Sequence, residues 1–144
     1  MRIIIDTNIV FSAILNTNNK IARIIFQPKT GFNFYATPKL LEEVEEHKTK
    51  ILSLTKLSNT ELDRIISLIS NKIRFINYNL IPIEIYNFAE KLTYDVDIDD
   101  TEFIALTEHI KGKLWTGDKE LKKGLQLKNW NKFISTDELA IKLN

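Results

Sequence analysis

The chain has no cysteine. That excludes disulfides and thiolate metal sites and makes the cytoplasm the simplest home, an assignment the lack of cysteine permits rather than requires. Glycine and proline are scarce, four and three in 144 residues, against disorder and long linkers. No glycine-rich loop is present, so a phosphate-cradling P-loop is out, and no Gly-x-Ser-x-Gly elbow points to a serine hydrolase. No apolar run approaches the roughly 20 residues of a membrane span. Asp6, Thr7 and Asn8 interrupt the apolar start of the chain and no small-residue cleavage site follows, which argues against a signal peptide. The two histidines, His47 and His109, fall on separate segments without zinc-ligand spacing or a cysteine beside them, and are read as surface residues.

What is present fits an ordinary folded protein. Hydrophobic residues make up 44% and charged residues 27% of a 16.8 kDa chain, enough for one domain, residues 1–144, with a sizeable core. The net charge of +1 hides an asymmetry. Residues 111–134 carry seven lysines against Asp118 and Glu120, a local charge of +5 (7 − 2). Residues 95–102 carry Asp95, Asp97, Asp99, Asp100 and Glu102 with no base among them. An acidic cluster near a basic segment suits a metal site that handles a polyanion.

Along the chain, residues 2–5, 32–36, 73–76, 113–116 and 133–134 read as strands. Residues 18–26 have helical spacing, and Gln27–Gly31 reads as a turn. Thr37 is placed as the N-cap of a helix running from Pro38, its first residue, to about Leu52. Ser58 and Glu61 form a capping box before a helix with Leu62, Ile65, Ile66 and Ile69 on one face, and Ser135 and Glu138 form another before the last helix. Further helices are expected after Pro82, from about Asp100, and over the lysine-rich segment after Asp118. Strands alternating with helices predict a parallel, doubly wound α/β sheet covered on both faces. Ligands of such sheets sit beyond the carboxyl ends of the strands, at the topological switch point.

There the acids converge. Asp6 ends the first strand, Asp118 follows the Lys113–Thr116 strand, Glu43 lies about two turns into the helix after the second strand, and Asp100 opens the helix before the fourth. Each has an ordinary alternative: Asp6, Asp99 and Asp100 as helix caps, Asp118 as a turn residue, Glu43 as part of a solvated run with Glu42, Glu45 and Glu46. Together they describe one sheet edge. Like charges at close range raise one another's pKa or demand a cation, and a hard divalent cation with oxygen ligands, Mg²⁺ or Mn²⁺, is the natural partner.

The segments IIIDTNIVFSAIL, TPKLLEEV, DIDDTEFIALTEH and LWTGDKEL resemble, in order and spacing, the four acidic motifs of the PIN-domain nucleases, a family that includes the VapC-like toxins. The resemblance implies a parallel five-stranded sheet in the order 3-2-1-4-5 and Mg²⁺- or Mn²⁺-dependent cleavage of single-stranded RNA. It also implies the toxin half of a toxin–antitoxin pair, with an antitoxin protein as partner and a homodimer as the expected assembly. Carried onto this chain, the catalytic acids are Asp6, Glu43, Asp100 and Asp118, with Glu42 the one-residue alternative to Glu43. Asp6, Asp100 and Asp118 hold the metal. Asn8 and Thr116 orient carboxylates or a phosphate oxygen, Asp97 and Asp99 support or replace Asp100, and Lys119, Lys122 and Lys123 track the RNA backbone. Thr107 and Glu108 depart from the small apolar residues common there, a matter of packing.

Two other readings compete. One is a catalytically inactive domain of the same fold that binds RNA or a protein partner, to which clustered negative charge near a phosphate offers nothing. The other is a different phosphoryl-transfer enzyme. A phosphatase wants Asp-x-Asp after the first strand, where this chain has Asp6-Thr7-Asn8, and a Toprim-like site wants a glutamate there.

Overall fold

The computed structural model describes residues 1–28 and 31–143. The expected Gln27–Gly31 turn includes Lys29 and Thr30, which lie outside the described residues.

Five strands, β1 (Arg2–Ile5), β2 (Asn33–Ala36), β3 (Ile73–Phe75), β4 (Lys113–Trp115) and β5 (Phe133–Ile134), form one sheet in the order β3-β2-β1-β4-β5. All four pairings are parallel, with Ile4 opposite Tyr35 and Leu114, and Ile5 opposite Trp115. Ile3, Ile4 and Ile5 are all fully buried. Successive strand residues point to opposite faces, so both faces of β1 are covered, as a parallel sheet requires. The helices are α1 (Thr7–Leu15), α2 (Lys20–Phe26), α3 (Lys39–Glu46), α4 (Lys48–Leu54), α5 (Asn59–Ser70), α6 (Ile83–Thr93), α7 (Thr101–Ile110), α8 (Lys119–Gln126) and α9 (Thr136–Leu143). The chain runs outward from β1 through β2 to β3, then returns to β4 on the other flank. The switch point therefore lies between β1 and β4, at Asp6.

Both capping boxes form: Ser58 with Glu61 and Ser135 with Glu138 exchange side-chain and backbone hydrogen bonds at 3.0 to 3.2 Å. Two expectations around the second strand fail. Thr37 does not cap: its hydroxyl is buried and makes no hydrogen bond, and only its carbonyl serves the helix, accepting from the Leu40 amide at 3.1 Å. The helix expected from Pro38 to Leu52 breaks at His47, whose backbone sits at φ −99°, ψ 7°. The His47 ring meets the Glu43 carbonyl at 2.8 Å, which also accepts from the His47 amide at 3.2 Å, and lies edge-on to Phe11 at 5.3 Å. The unusual Thr107 and Glu108 are absorbed by hydrogen bonds. Thr107 donates to the Phe103 carbonyl at 2.7 Å, and Glu108 accepts from the Trp130 indole at 2.7 Å.

One glycine positions the site. A Cβ on Gly124 of α8 would stand 2.7 Å from Cγ1 of Val96. Its absence lets the loop that carries Asp95–Asp100 lie against α8, beside Asp118. Among the described residues no helix is long and apolar enough to cross a membrane.

Candidate metal centre and active site

Asp6 follows β1 and is 4% exposed, an unusual burial for a carboxylate. Its Oδ2 accepts a 2.6 Å hydrogen bond from Thr116, the residue that follows β4. The Thr116 hydroxyl also accepts from the Asp118 amide at 3.0 Å, so one threonine ties the end of β1 to the start of α8. Asp6 makes no capping bond of good geometry to α1, and its carboxylate is not spent there. Burial raises its pKa, with the charge of Asp118 adding. The Thr116 hydroxyl and the amides of Asn8 and Thr7 oppose the rise.

Glu43 on α3 is half-buried, while Glu42 and Glu46 are exposed. It accepts a 3.1 Å hydrogen bond from the Thr7 hydroxyl, which links α3 to the first residue of α1. Its pKa is raised by burial, then by Asp6 and Asp99, against the pull of Thr7 and Lys39. The slip to Glu42 is thereby disfavoured: position 43 is the one turned toward Asp6.

Asp100 ends a short 3₁₀ turn, Ile98–Asp100, and precedes α7 without capping it. Among the described residues, carboxylate oxygens of Asp97, Asp100 and Asp118 lie within 4.8 Å of one another. Asp118 also caps α8, accepting from the Leu121 amide at 3.0 Å, and Asp97 accepts from the Asp99 amide at 3.1 Å. Each thus has one oxygen held by backbone and one left over. Asp100 is pushed up to about 8, first by burial and then by the charges of Asp6, Asp97 and Asp118.

The triad therefore contains Asp97, expected only in support, and Asp6 stands beside it rather than within it. Asp99 faces Glu43 and Lys39 instead. Asn8 is exposed, and among the described residues its side chain makes no hydrogen bond to a carboxylate. Thr7 and Lys39 were missed from sequence. Thr7 carried a signal, its place beside Asp6. Lys39 breaks the expectation of acids without a base: its ammonium donates to the Asp99 carbonyl and favours the charged form of Glu43. Of the lysines expected to track RNA, Lys119 and Lys123 are exposed, whereas Lys122 is half-buried with its ammonium 5.9 Å from the Phe133 ring centroid.

The chemistry of this donor set fits a hard divalent cation. The donors are carboxylate oxygens, and burial together with the neighbouring negative charges pushes Asp100 up to about 8. The orphaned hydroxyl of Thr37, at the end of the strand next to β1, is a further buried oxygen at this edge.

A PIN domain family model matches residues 4–143, nearly the whole chain. The chain belongs to the PIN domain family. PIN domains are generally nucleases and typically bind divalent metals, and an acidic cluster is present in this chain. This PIN domain is also similar to the uncharacterized protein MJ1680 of Methanocaldococcus jannaschii, 28% identical over 99% of this chain and 85% of that protein.

Proposed function

We propose that this PIN domain is a metal-dependent endoribonuclease that cleaves single-stranded RNA, and that it is the toxin component of a toxin–antitoxin pair. The observation that carries the enzymatic reading is the acidic crevice at the switch point. Asp97, Asp100 and Asp118 lie within 4.8 Å of one another, buried Asp6 is beside them, and Asp100 is forced up to about 8. A protein that only binds RNA gains nothing from such a cluster.

Asp6, Asp100 and Asp118 would hold Mg²⁺ or Mn²⁺, with Asp97 completing the oxygen set. Such a cation would supply charge neutralisation at the phosphodiester and a lowered pKa for a water near it. Thr116 locks Asp6 in one orientation through its 2.6 Å bond and couples it to Asp118. Thr7 does the same for Glu43, whose carboxylate, made more basic by burial, is the base for the attacking water. The departing 3′ oxygen takes a proton from solvent, leaving a 5′-phosphate and a 3′-hydroxyl. Lys119, Lys122 and Lys123 hold the RNA backbone. The groove between α1 and α4, lined by Phe11, Leu15, Ile51 and Leu54, supports an antitoxin protein as partner, and a homodimer is the proposed assembly. The proposed compartment is the cytoplasm.

The test compares the wild type with Asp6→Asn on a mixed RNA pool, with and without EDTA. Cleavage is expected only by the wild type and only with divalent metal. EDTA-resistant cleavage would sink the metal mechanism. An active Asp6→Asn would make Asp6 structural. Unchanged RNA binding by both proteins with no cleavage would favour the inactive binding domain.

A further inference from the structure

Next to the acidic crevice lies a hollow of about 220 Å³. It opens between α3, the start of α7 and the 3₁₀ turn Tyr78–Leu80, and its lining includes Lys39, Glu42, Asn77, Tyr78, Asn79 and Glu102. It shares both helical walls with the crevice. Glu42 adjoins Glu43 on α3, Glu102 lies two residues beyond Asp100, and Lys39 lines the hollow while its ammonium bonds the Asp99 carbonyl. A strand whose phosphate reached the crevice would bring a neighbouring base to this place.

The lining is of three kinds. Tyr78 is 50% exposed, an aromatic face open to solvent beside a charged site. Asn77 uses its Oδ1 to accept from the Asn79 amide at 2.9 Å, which leaves its NH₂ group as the free end, and the Asn79 carboxamide has no hydrogen bond among the described residues. Among the described residues Glu42 and Glu102 make no ion pair or hydrogen bond, and carboxylate oxygens offer only acceptors. The set is therefore a stacking face, amide donors and carboxylate acceptors. At about 220 Å³ it is smaller than the roughly 300 Å³ at which drug-sized sites begin, suited to one base rather than a nucleotide pair.

We propose that this hollow is a guanine subsite, which selects the RNA base next to the cleaved bond. It rests on the nuclease reading. Guanine presents two adjacent donors, N1–H and the N2 amino group, and one acceptor, O6, along its Watson–Crick edge. The donors meet Glu42 and Glu102, O6 meets the amides of Asn77 and Asn79, and the ring stacks on Tyr78. Lys39 takes the intervening phosphate as a point charge.

The test separates binding from cleavage. Fluorescein-labelled uridine oligonucleotides with one central guanosine, adenosine, cytidine or inosine are titrated with the protein in Ca²⁺, read by anisotropy. The guanosine probe should bind about tenfold tighter than the adenosine and cytidine probes, and inosine, which lacks the N2 amino group, should lose most of that margin. Tyr78→Ala should weaken the guanosine probe about tenfold while Tyr78→Phe does not, and Glu42→Gln with Glu102→Gln should erase the preference over adenosine. The inosine comparison needs no variant and so stands even if a variant fails to fold. Equal affinity for all probes, or a preference for cytidine or adenosine, overturns the subsite. Cleavage of guanine-free RNA in Mn²⁺ would then leave the nuclease reading intact. Guanosine-selective binding without any cleavage upholds the subsite and defeats the nuclease reading.

Discussion

Asp95 and Asp100 stand on the same loop, five residues apart, and their carboxyls are pushed in opposite directions. Asp95 is lowered by the Lys128 ammonium that bonds it, which also donates to the Leu92 carbonyl at 3.0 Å and lies 5.3 Å from the Tyr94 ring centroid. Asp100 is raised to about 8, first by burial and then by the charges of Asp6, Asp97 and Asp118. The basic segment shows the same economy of charge: Lys132 pairs with Glu108 at 2.8 Å, and Lys122 leans on Phe133. One flank of the loop is neutralised and the other is not. A fold that can pair its charges, yet leaves four acids together at one edge, holds a place for an external cation.

The largest expected effect probes the unneutralised side. Asp6→Asn keeps an acceptor for Thr116, so the fold should survive, while cleavage falls by on the order of a thousandfold, about 4 kcal/mol of lost transition-state stabilisation. Single-turnover rates on one RNA decide it. Next, Glu43→Gln should reduce the rate about a hundredfold, whereas Glu46→Gln, on the exposed face, leaves it near normal. Equal losses from the two would show that α3 presents a different face to the substrate.

The third prediction concerns stability. An acid whose pKa is raised in the folded protein holds its proton while the unfolded chain has lost it. Above the unfolded value near 3.8, the metal-free protein should therefore lose stability as pH rises, until about 8, where the folded Asp100 ionises as well. Thermal melts in EDTA at pH 5 and pH 8 should show the higher midpoint at pH 5. Mn²⁺ at a hundred times its dissociation constant should restore about 2.7 kcal/mol, or roughly 5–10 °C. Asp100→Asn should flatten the pH dependence and blunt the metal response. A midpoint that climbs with pH in EDTA would break the comparison between the two flanks.

The smallest effects belong to the neutralised side. Lys119→Ala and Lys123→Ala should each lower the slope of RNA affinity against salt by about 0.7 for a single strand, with fold and metal binding unchanged. Asp95→Asn, which removes an exposed partner of Lys128, should leave cleavage and melting nearly as they were. A large loss of activity from Asp95→Asn would move the site along the loop.

How much of this was legible depended on reach along the chain. The alternation of strands and helices and the two capping boxes needed only neighbours within a few residues, and both came through the structure intact. The placing of Asp6 at a strand end was likewise local, because a strand must stop where a carboxylate cannot be buried unsupported. The break at His47 was not legible: the His47 ring packs against Phe11 from another helix, a contact that local spacing does not show. The unspent hydroxyl of Thr37 was not legible either, because the capping pattern says nothing about what will bury the side chain.

The sequence alone determined the fold class, the strand ends and the four acidic segments that would meet at one edge, since periodicity, caps and turns are written in short spans. Tertiary structure alone decided which acids meet. It brought Asp97 into the triad with Asp100 and Asp118, set Asp6 beside them on Thr116, joined Thr7 to Glu43 across 36 positions and placed Lys39 against Asp99 across 60. Those distances follow from β1 lying between β2 and β4, and from Gly124 letting the acidic loop settle onto α8. Charge acts through space, so the carboxyl pushed up to about 8 and the one drawn down by Lys128 look alike in the sequence and differ only in their neighbours once the chain has folded.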